Sequence, residues 1–194
     1  MNMITIGVLL FPEVEELDFA GPFEVLSYVN KLIPASVELK IIAESLEPVK
    51  CFNGLRVLPD QTTAECPQMD ILVIPGGQGR KPAAKNPVML EFIKRQHEGS
   101  LYTCSVCTGA FLLAEAGLLS GKQATTYHTA FAELAAFPDV TVVNQKVVQD
   151  GKVITGGGVS SGLELGFHVL QLLFGRLIAR DVARRIEYNW GLDD

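Results

Sequence analysis

The cysteines are the most chemically reactive candidates in the sequence, and the chain has four of them: Cys51, Cys66, Cys104 and Cys107. Around Cys107, a short apolar stretch that favours a strand passes directly into a helical pattern. This is the layout of a nucleophile elbow, where the helix N-terminus favours an anion and lowers the pKa of a thiol. The sequence therefore predicts that Cys107 is a nucleophile, with the backbone N–H of Thr108 facing a developing oxyanion.

Cys104 and Cys107 also form a C-x-x-C pair, which has other interpretations. A zinc site needs two further ligands, and the sequence has no second C-x-x-C or closely spaced histidine pair. A redox dithiol needs both sulfurs at the start of the helix, whereas Cys104 is predicted to lie in the strand. Free cysteine is also often a small buried apolar residue. The zinc site, the redox dithiol and the buried apolar residue therefore stay open as alternatives to the nucleophile prediction.

The acid that could serve such a thiol follows the first predicted strand. The run contains Glu13, Glu15, Glu16 and Asp18. We expect the three glutamates to form a solvated face, but Asp18 stands between two apolar residues. A carboxyl group there would have a raised pKa and could share a proton with a nearby thiolate. The alternative role for Asp18 is an N-cap of the following helix.

These residues must be positioned by a larger framework, which the hydrophobic pattern predicts. Strands are predicted at residues 4–11, 37–43, 71–74, 101–104, 140–143 and 147–155. Helices are predicted from Pro22 onward and at residues 87–97, 108–116, 162–174 and 177–188. Asn53-Gly54 predicts a hairpin within residues 49–59. This alternation indicates an α/β fold: a flavodoxin-like three-layer sandwich with a mostly parallel central sheet and an edge hairpin.

The loops of that framework predict where a ligand would bind. Open α/β sheets bind ligands outside the carboxyl ends of their strands. Four loops leave such ends, at residues 12–18, 75–79, 105–108 and 155–161. Because no linker or repeat divides the sequence, we expect residues 1–194 to form one domain.

Composition excludes several classes of function. The 194 residues are 48% hydrophobic and 20% charged, with a formal net charge of −6 and no basic block, so a nucleic-acid partner is not expected. No stretch approaches the ~20 apolar residues of a membrane span, and the first residues lack a signal-peptide pattern. We therefore expect a cytoplasmic protein with reduced thiols and no disulfides.

Several runs resemble the ThiJ/PfpI superfamily over almost the whole chain. They are Leu17-Asp18-Phe19-Ala20-Gly21-Pro22, Pro75-Gly76-Gly77, Ser105-Val106-Cys107-Thr108-Gly109-Ala110, Ala124-Thr125-Thr126 and Thr155-Gly156-Gly157-Gly158. Together with Ala-Gly-Leu-Leu-Ser-Gly at residues 116–121, they look most like the isonitrile hydratase branch. The sensor domains of AraC-type regulators share these same runs.

The resemblance implies roles for individual residues. Cys107 would be the nucleophile and Asp18 its acid/base partner, and the backbone N–H groups of Gly77 and Thr108 would be oxyanion donors. The substrate would be a small molecule, with no cofactor or metal, and the protein would be a homodimer. Weaker candidates line the pocket: Gly76, Tyr127, His128, Gly157 and Gly158.

One departure from the superfamily concerns histidine. The superfamily often has histidine where this chain has Tyr127, and the hydratase branch often has tryptophan where it has His128. His128 is therefore a candidate replacement for the missing histidine. Of the other two histidines, His97 is expected at the surface and His168 in the core.

The function that the resemblance implies is addition of water to an isonitrile through a Cys107 thioimidate. One alternative is a non-enzymatic ligand or redox sensor in which Cys107 oxidises reversibly. Another is a different ThiJ/PfpI activity of the amidase, protease or glyoxalase type. Glyoxalase-type members use cysteine, glutamate and histidine, and the last two are altered here, at Asp18 and Tyr127.

Overall fold

A computed structural model describes residues 3–190, and its centre is a seven-stranded sheet with the order β10-β11-β7-β6-β1-β2-β5. All neighbouring strands of this sheet run parallel except β10, which pairs antiparallel with β11. The strands are β1 Ile4–Leu9, β2 Val37–Ala43, β5 Gln61–Thr62, β6 Ile71–Ile74, β7 Tyr102–Val106, β10 Val147–Asp150 and β11 Val153–Gly156. The predicted mostly parallel sheet and antiparallel edge hairpin are confirmed.

Helices cover both faces of the sheet and complete three layers. One group consists of α1, α6 and α7, which pack on one another, and a second contains α3 and α4, which pack against β6 and β7. The helices are α1 Glu16–Tyr28, α2 Arg80–Ala83, α3 Pro87–Gly99, α4 Ala110–Glu115, α5 Phe131–Leu134, α6 Ser161–Phe174 and α7 Arg176–Arg185. The buried strands β6 and β1 carry the apolar runs that their sequence predicted.

Two short pairs of strands lie outside the central sheet. The Asn53-Gly54 hairpin forms as predicted, but its strands β3 Val49–Lys50 and β4 Arg56–Val57 make a separate two-stranded sheet. The other pair, β8 Gln123–Ala124 and β9 Thr141–Val142, is parallel and also separate. The predicted strand at residues 140–143 is thus real, although it does not join the central sheet.

The start of α1 differs from the prediction, because the helix begins at Glu16 and contains Pro22. Proline in a helix interior removes one hydrogen bond, so close packing must offset that cost. A Cβ added at Gly162 of α6 would lie 2.9 Å from Pro22 Cδ, and one at Gly166 would lie 2.9 Å from Val25 Cβ. The glycines of α6 therefore let α1 pack closely along its length. This earlier start places Asp18 inside the first turn of the helix.

Four adjacent strands bring the predicted loops together. Because β11, β7, β6 and β1 are neighbours in the sheet, the loops that follow them meet at one edge. Backbone hydrogen bonds join these loops in sequence: Glu15 N to Gly76 O at 3.0 Å, and Cys107 N to Gly157 O at 2.8 Å. The convergence expected from the sequence is confirmed, and it defines one site.

Candidate active site

Cys107 occupies a sharp turn between β7 and the helical segment that follows it. Its φ is +55°, in the left-handed region that side chains other than glycine seldom adopt. A single 3-10 turn, Cys107–Gly109, leads from the strand into α4. The Cys107 carbonyl accepts a 2.8 Å hydrogen bond from the buried hydroxyl of Thr126. The elbow is therefore held in a strained conformation by neighbouring loops, as at many functional sites.

Asp18 lies buried in the first turn of α1 and does not cap the helix. Its Oδ2 accepts a 2.9 Å hydrogen bond from the backbone N–H of Gly76, while its buried Oδ1 has no hydrogen bond of standard geometry. Burial raises the pKa of Asp18 to about 7, and the nearby Glu15 carboxylate adds to the rise. The hydrogen bond from Gly76 and a weaker one from the Cys107 thiol oppose it. The carboxyl is therefore poised to exchange a proton near neutral pH.

The thiol of Cys107 does not have the lowered pKa that a helix N-terminus predicts. Burial and the charge of Asp18 raise its pKa to about 12, although hydrogen bonds from the Thr108 backbone and hydroxyl favour the thiolate. Desolvation in this 6% exposed side chain outweighs the helix terminus. Cys107 therefore rests as a thiol beside a carboxyl group whose pKa is about 7, and each group shifts the pKa of the other.

Gly77 and Thr108 are joined by a hydrogen bond beside the nucleophile. The Gly77 N–H donates to Thr108 Oγ1 at 3.1 Å, and the Thr108 hydroxyl acts to lower the pKa of Cys107. In this structure the Gly77 N–H therefore acts on the nucleophile through Thr108. The two predicted oxyanion donors are neighbours, and the Thr108 backbone also acts to lower the pKa of Cys107.

Glycine is required at the loop after β6 because backbone atoms approach it closely. A Cβ at Gly76 would lie 2.5 Å from both Thr108 N and Thr108 Oγ1. Gly77 has a φ of +126° and would bring a Cβ within 2.5 Å of Glu13 O. The absence of side chains here lets this loop pack directly on the elbow.

A cavity of about 400 Å³ opens over Cys107. Its size suits a small organic molecule. The lining is rich in polar and charged groups and contains Glu15, Gly77, Gln78, Arg80, Lys81, Cys107, Thr108, Tyr127, Thr129, Ala130, Glu133 and Val159.

Charged residues of this cavity were missed by the sequence analysis. Arg80 forms a 2.6 Å ion pair with Glu133 and lies 3.9 Å from the centre of the Phe111 ring. The ion pair joins α2 to α5 across the cavity wall. Glu15, expected on a solvated face, is half-buried and lines the cavity instead.

The candidate histidine His128 does not line the Cys107 cavity. It is exposed and lines a separate cavity of about 230 Å³, together with Gly157 and Gly158. Tyr127 lines the Cys107 cavity, and its ring packs against Gly158, where a Cβ would lie 2.9 Å from Tyr127 Cδ2. Tyr127, at the position of the usual histidine, is therefore the aromatic residue that faces the nucleophile's cavity.

The other histidines lie outside this site. His97 is half-buried, and its Nδ1 is 2.8 Å from Thr103 Oγ1. His168 is also half-buried, with its Nε2 2.8 Å from Gln149 Oε1. The predictions of a surface position for His97 and a core position for His168 are thus both only partly right.

The remaining cysteines have structural surroundings. All four cysteines are free, and Cys51, Cys66 and Cys104 are buried away from the cavity. Burial raises the pKa of each of these three thiols. Within residues 3–190, no group of three or more His, Cys, Asp and Glu side chains is arranged to hold a metal ion. No helix in that same range is long and apolar enough to cross a membrane.

Comparison with known proteins identifies the family of this site. Residues 4–172 match the DJ-1/PfpI family. Isonitrile hydratase from Pseudomonas putida is 38% identical over 95% of this chain and 78% of its own length. A glutathione-independent glyoxalase from Caenorhabditis elegans is 27% identical over 87% of this chain and 88% of its own.

A solved structure gives the same assignment. The crystal structure of a ThiJ/PfpI family protein from Pseudomonas syringae superposes with a TM-score of 0.90 at 31% sequence identity. The match covers 98% of this chain and 77% of that one. The chain therefore belongs to the DJ-1/PfpI family, the family also known as ThiJ/PfpI.

Proposed function

We propose that this protein is an isonitrile hydratase-like enzyme that adds water to R–N≡C and releases an N-substituted formamide. The observation that carries the proposal is that Cys107, which lines the cavity, lies beside the buried Asp18 carboxyl, so that each group shifts the pKa of the other. The similarity to isonitrile hydratase over 95% of the chain supports the choice of substrate. Both residues are taken as catalytic because each would touch the reacting atoms.

The first half of the reaction forms a covalent intermediate. Asp18 accepts the thiol proton while the Cys107 sulfur attacks the terminal carbon of the isonitrile. The carbon then takes that proton back from Asp18, which gives the thioimidate R–N=CH–S–Cys107. No proton is lost to solvent in this half, so a buried carboxyl with a pKa of about 7 suits the task.

The second half hydrolyses the thioimidate. Asp18, again a carboxylate, accepts a proton from water as the water oxygen adds to the same carbon. Asp18 passes that proton to the nitrogen, which gives the tetrahedral adduct R–NH–CH(OH)–S–Cys107. Asp18 then accepts the hydroxyl proton as the C=O bond forms and the C–S bond breaks, and it returns this proton to the Cys107 sulfur as R–NH–CHO leaves. The hydrogen bonds from Thr108 to the sulfur favour the departing thiolate. The sum is R–N≡C plus water giving R–NH–CHO.

The structure favours this chemistry over reversible oxidation of Cys107. Redox-sensor cysteines are exposed and have a low pKa, because the thiolate reacts with the oxidant. Cys107 is 6% exposed, which limits the access of an oxidant, and burial raises its pKa to about 12. Attack on an isonitrile is still open to this thiol because Asp18 accepts the proton as the sulfur attacks. The glyoxalase-type alternative is disfavoured because the resemblance assigns that type a glutamate and a histidine, where this chain has Asp18 and Tyr127.

Turnover of an aryl isonitrile tests the proposal. Purified protein is incubated with the isonitrile, and the formamide is quantified by chromatography, with methylglyoxal as a parallel substrate. We expect formamide from the wild type and from Cys51→Ala, a matched change at a buried cysteine outside the cavity. Cys107→Ala should lose the activity. No formamide from the wild type, or equal rates with and without Cys107, would reject the proposal.

We also propose that the protein is cytoplasmic and forms a homodimer, as the family resemblance implies. Exposed apolar side chains near the start of α1 support association, namely Leu17, Phe52 and Leu55. The side chain and the backbone N–H of Asn53 each donate a hydrogen bond to Glu16, and these bonds tie the hairpin that carries Phe52 and Leu55 to α1. Light scattering of the purified protein measures its mass directly, and a mass near 21.0 kDa at micromolar concentration would contradict the dimer.

A further inference from the structure

Glu15 is a half-buried acid at the Cys107 cavity to which nothing above gives a role. It occupies the N-cap position of α1, yet its side chain makes no capping hydrogen bond. Its backbone is held in place, because Glu15 N donates to Gly76 O at 3.0 Å. The backbone of Glu15 is therefore fixed beside the cavity, and its carboxylate is not used to cap the helix.

The other acid of the cavity is already neutralised. Glu133 pairs with Arg80 at 2.6 Å, and Lys81 also acts on it, which together lower its pKa. Glu15, by contrast, forms no ion pair with any residue between 3 and 190. Its one side-chain hydrogen bond within that range is a long one of 3.4 Å from Asn53 Nδ2. Glu15 is thus the acid whose charge the cavity leaves uncompensated.

The cations of the cavity do not cancel this charge. Arg80 is held by Glu133 and by the Phe111 ring, so its charge is already compensated within the cavity wall. Lys81 is exposed, and solvent screens an exposed charge strongly. Glu15 is partly shielded from solvent, so its field reaches further into the cavity. The effect of its charge on Asp18 shows that this field extends to the catalytic pair.

We propose that Glu15 is a specificity-determining residue that makes the Cys107 cavity select ligands by charge, accepting cationic and neutral ones and disfavouring anionic ones. This proposal rests on the proposed function, and under it the substrates are isonitriles with a neutral or ammonium-bearing substituent. Isonitriles that carry a carboxylate or sulfonate are poor substrates. Glu15 acts on the part of the substrate that does not react, while Cys107 and Asp18 act on the isonitrile carbon.

Charged thiol reagents test the selection without relying on hydratase activity. Two methanethiosulfonates, one with a trimethylammonium group and one with a sulfonate, transfer their thioalkyl group to a thiolate and release methanesulfinate. The rate of Cys107 modification by each is followed by peptide mass spectrometry and divided by its rate with free mercaptoethanol. The ratio of the two normalised rates reports charge preference, and changes in the proton affinity of Cys107 cancel in it.

We expect the wild type to react faster with the cationic reagent than with the anionic one. Glu15→Gln should reduce the ratio of these two normalised rates about tenfold. This is the size expected for one unit charge in surroundings whose polarity lies between that of bulk water and that of a protein interior. Glu13→Gln is the matched control, because it removes the same net charge from the same loop outside the cavity. It should keep the wild-type ratio. A wild-type ratio at or below one, or equal ratios in wild type and Glu15→Gln, would overturn the proposal.

A neutral isonitrile separates this inference from the proposed function. If benzyl isonitrile is not hydrated but the reagent ratio behaves as expected, the hydratase proposal fails and charge selection stands. If benzyl isonitrile is hydrated and Glu15→Gln leaves the reagent ratio unchanged, the hydratase proposal stands and charge selection fails. If both proposals stand, Glu15→Gln should lower kcat/KM for an ammonium-bearing isonitrile about tenfold more than it lowers kcat/KM for benzyl isonitrile.

Discussion

Asp18 Oδ2 accepts a 2.9 Å hydrogen bond from the backbone N–H of Gly76. This bond ties the buried carboxyl of α1 to the loop that follows β6. The same loop contacts Thr108, whose backbone N lies 2.5 Å from the position of a Cβ on Gly76. Gly76 therefore sets the distance between the acid on one element and the nucleophile's elbow on another.

Replacing Gly76 with alanine should damage both stability and activity. The added methyl group would meet backbone atoms that cannot rotate away, so we expect a loss of about 2 kcal/mol or more in the free energy of unfolding. Chemical denaturation measures this loss. Gly21→Ala is the matched control, since a Cβ there meets only ordinary contacts of 3.5 Å or more and favours the helix. Equal stabilities of the two variants would contradict the close approach.

Asp18→Asn should stabilise the protein, and more so at higher pH. The folded-state pKa of about 7 lies above the ordinary value of 3.8, so the folded state binds the proton more tightly than the unfolded state. Stability of the wild type therefore falls as pH rises between those values. Between about pH 5 and pH 8, the advantage of Asp18→Asn should grow by about 2–3 kcal/mol. Denaturation curves at both pH values measure it, and a constant difference would show that the Asp18 pKa is not raised.

Activity should depend on pH through the same group. The reaction begins with Asp18 as a carboxylate and Cys107 as a thiol, so the acid form of Asp18 cannot accept the thiol proton. We expect kcat/KM for a neutral isonitrile to rise with pH through about 7 and then to level off. In Asp18→Asn the rate should fall by about 10²–10⁴-fold and lose this inflection. An unchanged inflection in Asp18→Asn would assign it to another group.

His128 should be dispensable, whereas Tyr127 should not. His128 is exposed and lines the neighbouring cavity, so His128→Ala should change kcat/KM by less than about threefold. Tyr127 lines the Cys107 cavity, and its replacement by alanine should raise KM because the substrate loses an aromatic contact. Steady-state kinetics of the two variants measures both effects. A large loss in His128→Ala alone would mean that this histidine reaches the substrate.

Local contrasts in the sequence singled out Cys107 and Asp18 as candidates, and the family resemblance implied that they pair. Cys107 lies at a change from strand pattern to helix pattern, and Asp18 is a charged residue between apolar ones. Such local contrasts are visible along one chain. The three-layer fold was predictable for a similar reason, because the apolar runs that become β1, β2, β6 and β7 alternate with helical patterns.

The residues that sequence reasoning missed depend on contacts between distant segments. Glu15 resembles its neighbours Glu13 and Glu16 in sequence, and only the cavity distinguishes it. The early start of α1 depends on glycines of α6 that are far from Pro22 along the chain. The raised pKa of Cys107 likewise depends on burial, which outweighs the helix terminus that the local pattern suggested.

The covalent intermediate on Cys107 is the most direct test of the central claim. Protein is mixed with an aryl isonitrile, quenched in acid at millisecond intervals and digested. The mass of the peptide that contains Cys107 is then measured by mass spectrometry. The account predicts a transient gain equal to the full mass of the isonitrile, because the thioimidate retains every atom of it. Formamide production with the Cys107 peptide unmodified at every quench time would contradict the account.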